Sequence, residues 1–206
     1  ALRENIHSRL LTSLEDKEIL LREIHHRVKN NFQIMSSLLA LQKEKISDGG
    51  LKQIFSESEN RIRTMALIHD RLYNSGNTSR VDFSGFLRQM ADEMTMFYPC
   101  KSPVTLDIQT DEIILEIDMA VPCGLIANEV LTNSLKHAFP GDRGDNRISI
   151  TLKKIDGDIL LIIADNGAGL PDDLGIDRAS SLGMKLISGL CRQIKGSYSI
   201  QNDNGT

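Results

Sequence analysis

Apolar residues recur at helical spacing from Leu2 to about Ile46, through Ile6, Leu10, Leu14, Leu21, Ile24, Val28, Met35 and Leu38, with no Pro or Gly between them. Steps of three and four residues put these side chains on one stripe of a helix, and Leu21, Ile24, Val28, Met35 and Leu38 have the spacing of a bundle seam. Ser47-Asp48-Gly49-Gly50 breaks the pattern, and a second one runs from Leu51 through Ile54, Phe55, Ile62, Met65, Ile68 and Leu72 to Asn74-Ser75-Gly76. Two long helices about a short turn make an antiparallel hairpin. One hairpin cannot cover its own stripe, so a homodimeric four-helix bundle through these N-terminal helices is the expected completion.

Beyond residue 78 the texture changes. The patterns predict a helix from Val81 to Tyr98 stopped by Pro99, then strands over Val104–Gln109 and Ile113–Ile117. A helix from Met119 to Phe139 follows, ended by Pro140-Gly141, and then a hairpin of Arg147–Ile155 and Ile159–Ala164 about Asp156-Gly157. A helix from about Leu182 to Ile194 and a short strand from Ser197 complete the chain. Helices and strands mix without strict alternation, which predicts an α/β two-layer sandwich. The fold class is therefore α+β, with a helical domain over 1–78 and a sandwich domain over 79–206 that lacks its last strand.

Composition narrows the class without deciding it. The 206 residues carry a net charge of −4, so no overall basic field draws the chain to nucleic acid, and none is expected as a partner. Cys100, Cys123 and Cys191 show neither paired nor metal-ligand spacing, which suits a reduced, cytoplasmic location for this stretch. The longest apolar runs, such as Ile159 to Ala164, are strand-length and too short to span a bilayer. The chain starts on Ala-Leu-Arg-Glu inside helical sequence and stops at Asn-Gly-Thr, which reads as a piece of a longer protein.

Three short stretches in the second half carry chemistry. Asp165-Asn166-Gly167-Ala168-Gly169-Leu170 follows the apolar strand Leu160-Leu161-Ile162-Ile163. That is either a tight turn with a solvated acid, or a ligand loop whose glycines admit close backbone approach and whose carboxylate accepts from an amine. Asn128-Glu129-Val130-Leu131-Thr132-Asn133-Ser134-Leu135-Lys136-His137 falls in a helical pattern. Glu129 and Asn133 share a face, with Lys136 and His137 within another turn. Oxygen donors at that spacing beside a cation suit Mg²⁺ with a polyphosphate, although most polar sets of this kind are solvated helix faces. In Ser181-Leu182-Gly183-Met184-Lys185-Leu186, Gly183 stands where a helix opens, and helix N-termini favour anions.

A fourth stretch lies in the first helix: Glu23-Ile24-His25-His26-Arg27-Val28-Lys29-Asn30-Asn31-Phe32-Gln33. Two adjacent histidines, weak helix formers, are either incidental polar-face residues or a reactive site. With the seam taken as the buried direction, a wheel at about 100° per residue puts His25 at the flank and His26 nearly opposite, near Glu23, Asn30 and Gln33. An exposed imidazole there is reachable by a second domain.

The three downstream stretches, in this order, resemble the nucleotide boxes of the GHKL (Bergerat) ATP-binding fold, shared by histidine kinases and gyrase-type topoisomerases. The resemblance implies ATP and Mg²⁺ as cofactors, with Asp165 on the adenine amine, Asn133 on Mg²⁺ and Glu129 as the acid near the γ-phosphate and a second candidate metal ligand. Gly167, Gly169, Leu182 and Gly183 then shape the pocket and lid, with Lys136 and His137 near the phosphates. The stretch from Leu20 to Gln42 and the run Arg61-Ile62-Arg63-Thr64-Met65-Ala66-Leu67-Ile68-His69-Asp70-Arg71-Leu72-Tyr73 resemble the HisKA_2 subfamily of sensor histidine kinases. That resemblance implies His26 as the phosphoacceptor, an Asp of a response regulator receiver domain as the next acceptor, and a sensor domain upstream. Arg27 stands where many kinases place an acid, leaving Glu129 or water to take the proton, and Asn30 stands where a dephosphorylating Thr or Asn is common. His69 reads as structural, and His7 lies too far upstream to be a candidate. Two rival readings share the nucleotide fold: a serine kinase or anti-sigma switch, and a non-catalytic phosphotransfer scaffold.

Overall fold

The computed structural model describes residues 2–74, 80–97, 102–141, 144–169, 182–202 and 205–206, with some side chains in the helices excepted. The chain divides into two units, Ala1–Ser79 and Arg80–Thr206. The first unit is a helical hairpin of α1 (Leu2–Lys45) and α2 (Gly49–Asn74). The turn between them is only three residues long, Ile46 to Asp48, and both glycines of the expected break lie inside the first turn of α2. Asp48 makes this possible. Its Oδ1 accepts from the backbone N–H of Leu51 at 2.8 Å, satisfying a donor that the helix start leaves unpaired.

Half-buried positions on α1 recur at Val28, Phe32, Ser36, Leu39 and Lys43, the face turned to α2, where Lys43 Nζ meets Glu59 Oε2 at 2.8 Å. The seam expected to be buried is only partly so within one hairpin. Ile24, Met35 and Leu38 are 53%, 42% and 54% exposed, and Ile34, Leu41, Leu51 and Ile54 are exposed beside them. Pairing with α2 uses the neighbouring arc of α1 and leaves this stripe open, as the area argument for a second hairpin requires.

The second unit is a sheet with helices on one face. Strands β1 (Arg80–Asp82) and β3 (Ile114–Glu116) pair antiparallel in a two-stranded ribbon that brackets α3 (Phe83–Phe97). Strands β2 (Thr105–Thr110), β4 (Arg147–Ile155) and β5 (Asp158–Asp165) form the main sheet in the order β2-β4-β5. β2 runs parallel to β4, and β4 and β5 form the expected hairpin. Ile148, Ile150 and Leu152 of β4 are fully buried on alternate positions, so one face of the sheet is core. Phe83, Phe86, Leu87 and Met90 of α3, Leu125 and Leu131 of α4 (Ile117–Asn133), and Ile187 of α5 (Leu182–Gln193) complete it.

Two expectations are corrected. The single helix to Phe139 is instead α4 followed by a π-helical turn over Ser134–Ala138, a widening that no local periodicity announces and that is found mostly at functional positions. The segment from Ser197 alternates like a strand, yet residues 196–202 join no ladder among the described residues. Alternation gives a strand only where a neighbouring strand offers a ladder, and no described strand pairs with this segment.

Candidate active site

The site is assembled at the end of the sheet where β5 finishes. Asp165 is its last residue, and the carboxylate is held from two directions. Ser134 Oγ, on the first residue of the π-turn, donates to Oδ2 at 2.8 Å, and the backbone N–H of Gly167 donates to Oδ1 at 3.0 Å. Thr206 N–H approaches Oδ1 at 3.4 Å, while Asp165 N–H donates to Thr206 O at 2.7 Å. An ionised carboxylate offers about four acceptor positions, so room remains for the amine of a ligand.

The glycines of the loop are required by close approach. A Cβ on Gly167 would overlap the carbonyl of Ala138, whose oxygen accepts from Ala168 N–H at 2.8 Å. Gly169 has φ +70°, and a Cβ there would strike Oδ1 of Asn202. Asn166 fastens the loop to the strand beside it: Oδ1 accepts from Arg147 N–H and Nδ2 donates to Asp145 O, both at 2.8 Å. The loop is thus tied to the π-turn on one side and to β4 on the other.

The second cluster joins α4 and α5. Glu129 is 7% exposed, and its Oε2 lies 3.0 Å from where a Cβ on Gly183 would stand, so the glycine at the start of α5 abuts the acid of α4. One turn further along α4, Asn133 is exposed, and Thr132 Oγ1 beside it is buried with no hydrogen-bond partner among the described residues. Lys136 is half-buried and His137 exposed on the π-turn, and Leu182 is 57% exposed. Glu129 and Gly183 are therefore brought together, as are Asp165 and Gly167. Ser134, Asn202 and Thr206 were not singled out from the sequence. Ser134 directly follows Asn133 in the motif itself, and only the π-turn reveals that it faces Asp165.

The residues fit ATP with a metal. Among the described residues no group of three or more His, Cys, Asp or Glu forms a metal cluster. Mg²⁺ carried by phosphates and water needs no such cage, and one exposed amide oxygen on Asn133, one turn along α4 from the Glu129 carboxylate, is a donor set that suits it.

His25 and His26 lie within α1, and their side chains fall outside the described residues, as does His69. Arg27 Nε is bonded to Glu23 Oε1 at 2.8 Å one turn earlier, and Asn30 is exposed. No described helix is long and apolar enough to cross a membrane.

Comparison with known proteins then decides the family. A model described as "Histidine kinase" matches residues 23–98, and one described as "Histidine kinase-, DNA gyrase B-, and HSP90-like ATPase" matches residues 120–206. The chain belongs to the histidine kinase family. Sensor histidine kinase PdtaS of Mycobacterium tuberculosis is 27% identical over 175 residues, covering 85% of this chain and 35% of that protein. Blue-light-activated histidine kinase 2 of Erythrobacter litoralis is 25% identical over 172 residues, covering 81% of this chain and 49% of that protein. The chain thus spans about a third to a half of these relatives. The solved histidine kinase domain of the Erythrobacter litoralis EL346 blue-light activated histidine kinase superposes with a TM-score of 0.67 at 22% identity, over 90% of this chain and 86% of that one. The α+β fold of this histidine kinase core is that of the solved domain.

Proposed function

We propose that this chain is the catalytic core of a sensor histidine kinase that moves the γ-phosphoryl group of ATP to His26 and then to an Asp of a response regulator receiver domain. The observation that carries the reading is the paired clamp on Asp165, Ser134 on one oxygen and Gly167 on the other, which fixes a carboxylate with acceptor capacity left for the adenine amine. Asn133, with Glu129 as second ligand, holds Mg²⁺, which neutralises phosphate charge when bound. Gly183, at the opening of α5, leaves backbone N–H groups for the phosphates, and its missing side chain leaves room for Glu129. Lys136, His137 and Leu182 border the same pocket, and Gly169 shapes its loop.

A ring nitrogen of His26 attacks the γ-phosphorus. The new N–P bond forms as the bond to the β,γ-bridging oxygen breaks, and ADP leaves. Positioning and charge neutralisation supply most of the acceleration. The ring proton passes to Glu129 or to water, because Arg27 occupies the adjacent position and is paired with Glu23. Asn30, one turn on and exposed, orients water that hydrolyses the aspartyl phosphate of the regulator to Asp and inorganic phosphate. Two copies pair through the open stripe of Ile24, Met35 and Leu38, and the sensor domain lies upstream.

Incubation with γ-labelled ATP and Mg²⁺ tests the reading. An acid-labile, base-stable label that disappears in His26→Gln supports it. A label that survives in His26→Gln and disappears in His25→Gln overturns the acceptor assignment. A label on a partner's serine instead points to the serine-kinase alternative.

A further inference from the structure

The face of α5 turned away from Glu129 carries a second group of polar side chains. Lys185, Ser188 and Arg192 stand at i, i+3 and i+7, one stripe of the helix. Together with Met184 and Tyr198 they line a cleft of about 340 Å³, within the size range of small-molecule pockets. Tyr198 reaches it because α5 ends in a Schellman motif: Gly196 N–H donates to Cys191 O at 2.8 Å and Lys195 N–H to Arg192 O at 3.1 Å, with Lys195 at φ 55°. The reversal turns the following segment back along the helix. The same segment continues to Asn202 against Gly169 and to Thr206 on Asp165.

The chemistry of the lining is one-sided. Two cations and two hydroxyl groups line it, and among the described residues no acid does. Several other arginines have acceptors: Arg27 meets Glu23, Arg63 meets Glu59, Arg80 meets Glu116, and Arg88 donates to Thr110. The side chains of Lys185, Ser188, Arg192 and Tyr198 make no hydrogen bond or ion pair among the described residues. In a chain of net charge −4, a cation pair with no acid beside it among the described residues is not a by-product of a basic surface.

We propose that this cleft binds the phosphoryl group of a small organic phosphate. Arg192 presents a planar fork of donors, Lys185 a mobile point charge, and Ser188 and Tyr198 one hydroxyl each. That set exceeds what the two oxygens of a carboxylate can use and matches the three acceptor oxygens of a phosphate monoester. Met184 and the ring of Tyr198 supply the apolar surface for the organic part.

The test is an amide-resolved NMR titration of the chain with inorganic phosphate, phenyl phosphate, benzoate and, at matched ionic strength, sodium chloride. Saturable shifts centred on Ser188, Gly189 and Tyr198 are expected, tighter for phenyl phosphate than for inorganic phosphate. Arg192→Ala and Lys185→Ala, both at exposed positions, should each weaken binding by at least about tenfold while the remaining amides keep their positions. Equal shifts with chloride, equal affinity for benzoate, unchanged binding in both variants, or shifts confined to Asn133, Asp165 and Gly183 would each overturn the proposal.

Discussion

Ser134 Oγ donates a 2.8 Å hydrogen bond to Asp165 Oδ2, joining the start of the π-turn to the end of β5 across 31 residues of sequence. The hydroxyl is 7% exposed at the residue level, so no water replaces it freely when it is removed. A hydrogen bond to a charged acceptor is worth about 1.5–3 kcal/mol. Ser134→Ala should therefore lower stability by about 1–3 kcal/mol and weaken nucleotide binding by about tenfold or more, since Asp165 loses the one donor to its Oδ2 among the described residues. Denaturant melts and nucleotide titration of the variant measure both. Unchanged affinity would show that the backbone donors of Gly167 and Thr206 suffice to orient the carboxylate.

Gly183 and Glu129 form the corresponding contact between α5 and α4. Replacing a helical Gly by Ala ordinarily stabilises by up to about 1 kcal/mol. Here the added methyl would stand 3.0 Å from Glu129 Oε2, and the acid must turn away. Gly183→Ala should leave the melting temperature unchanged or raised and lower the rate of histidine phosphorylation by about tenfold or more, with a smaller effect on ATP binding. A variant that is stabilised and fully active would remove Glu129 from the proposed proton-transfer and metal roles.

The sequence made the helical hairpin, the β4–β5 hairpin and the three nucleotide stretches legible because each rests on local periodicity or turn chemistry. Asp156-Gly157 closes its hairpin with both residues at positive φ. What it did not reveal depends on distant partners. The π-turn exists where Ala138 O meets Ala168 N–H and Ser134 meets Asp165, contacts that no local window contains. The segment after Ser197 shows the reverse failure, a strand-like alternation with no ladder to join among the described residues. The seam on α1 is apolar in the sequence, but which arc faces α2 depends on helix packing and not on the pattern alone.

That arc sets a prediction about assembly. Ile24, Met35 and Leu38 lie open on one hairpin, and a bundle with a second copy covers them. Leu38→Glu places a charge in that interface and leaves the α1–α2 face of Phe32, Leu39 and Lys43 untouched. Sedimentation should show a dimer for the parent chain and a monomer for the variant, with helical content retained. A variant that remains dimeric would place the interface elsewhere.

Asp48 is a local counterpart. Its carboxylate accepts from the Leu51 N–H and so caps the start of α2. Asp48→Ala should cost about 1 kcal/mol, seen as a lower denaturant midpoint with unchanged slope, whereas Asp48→Asn or Asp48→Ser should retain most of the stability. Equal losses in all three would mean that charge, and not the hydrogen bond, is what Asp48 provides.

The last prediction concerns pH. Burial pushes the Cys123 thiol from an ordinary 9.0 up to about 11, with Cys191 nearby adding to the rise, and burial raises Cys191 as well. The folded chain keeps the proton that the unfolded chain has lost, so the stabilisation is complete below about pH 9 and disappears as pH rises through about 11. Denaturation midpoints of the parent chain should fall more steeply across that window than those of Cys123→Ala, whose other titrating groups are the same. The protonated thiol should also resist alkylation near neutral pH until the domain unfolds, because the thiolate is the reactive form. Parallel pH profiles for the two chains would mean that Cys123 is hydrated in the native state.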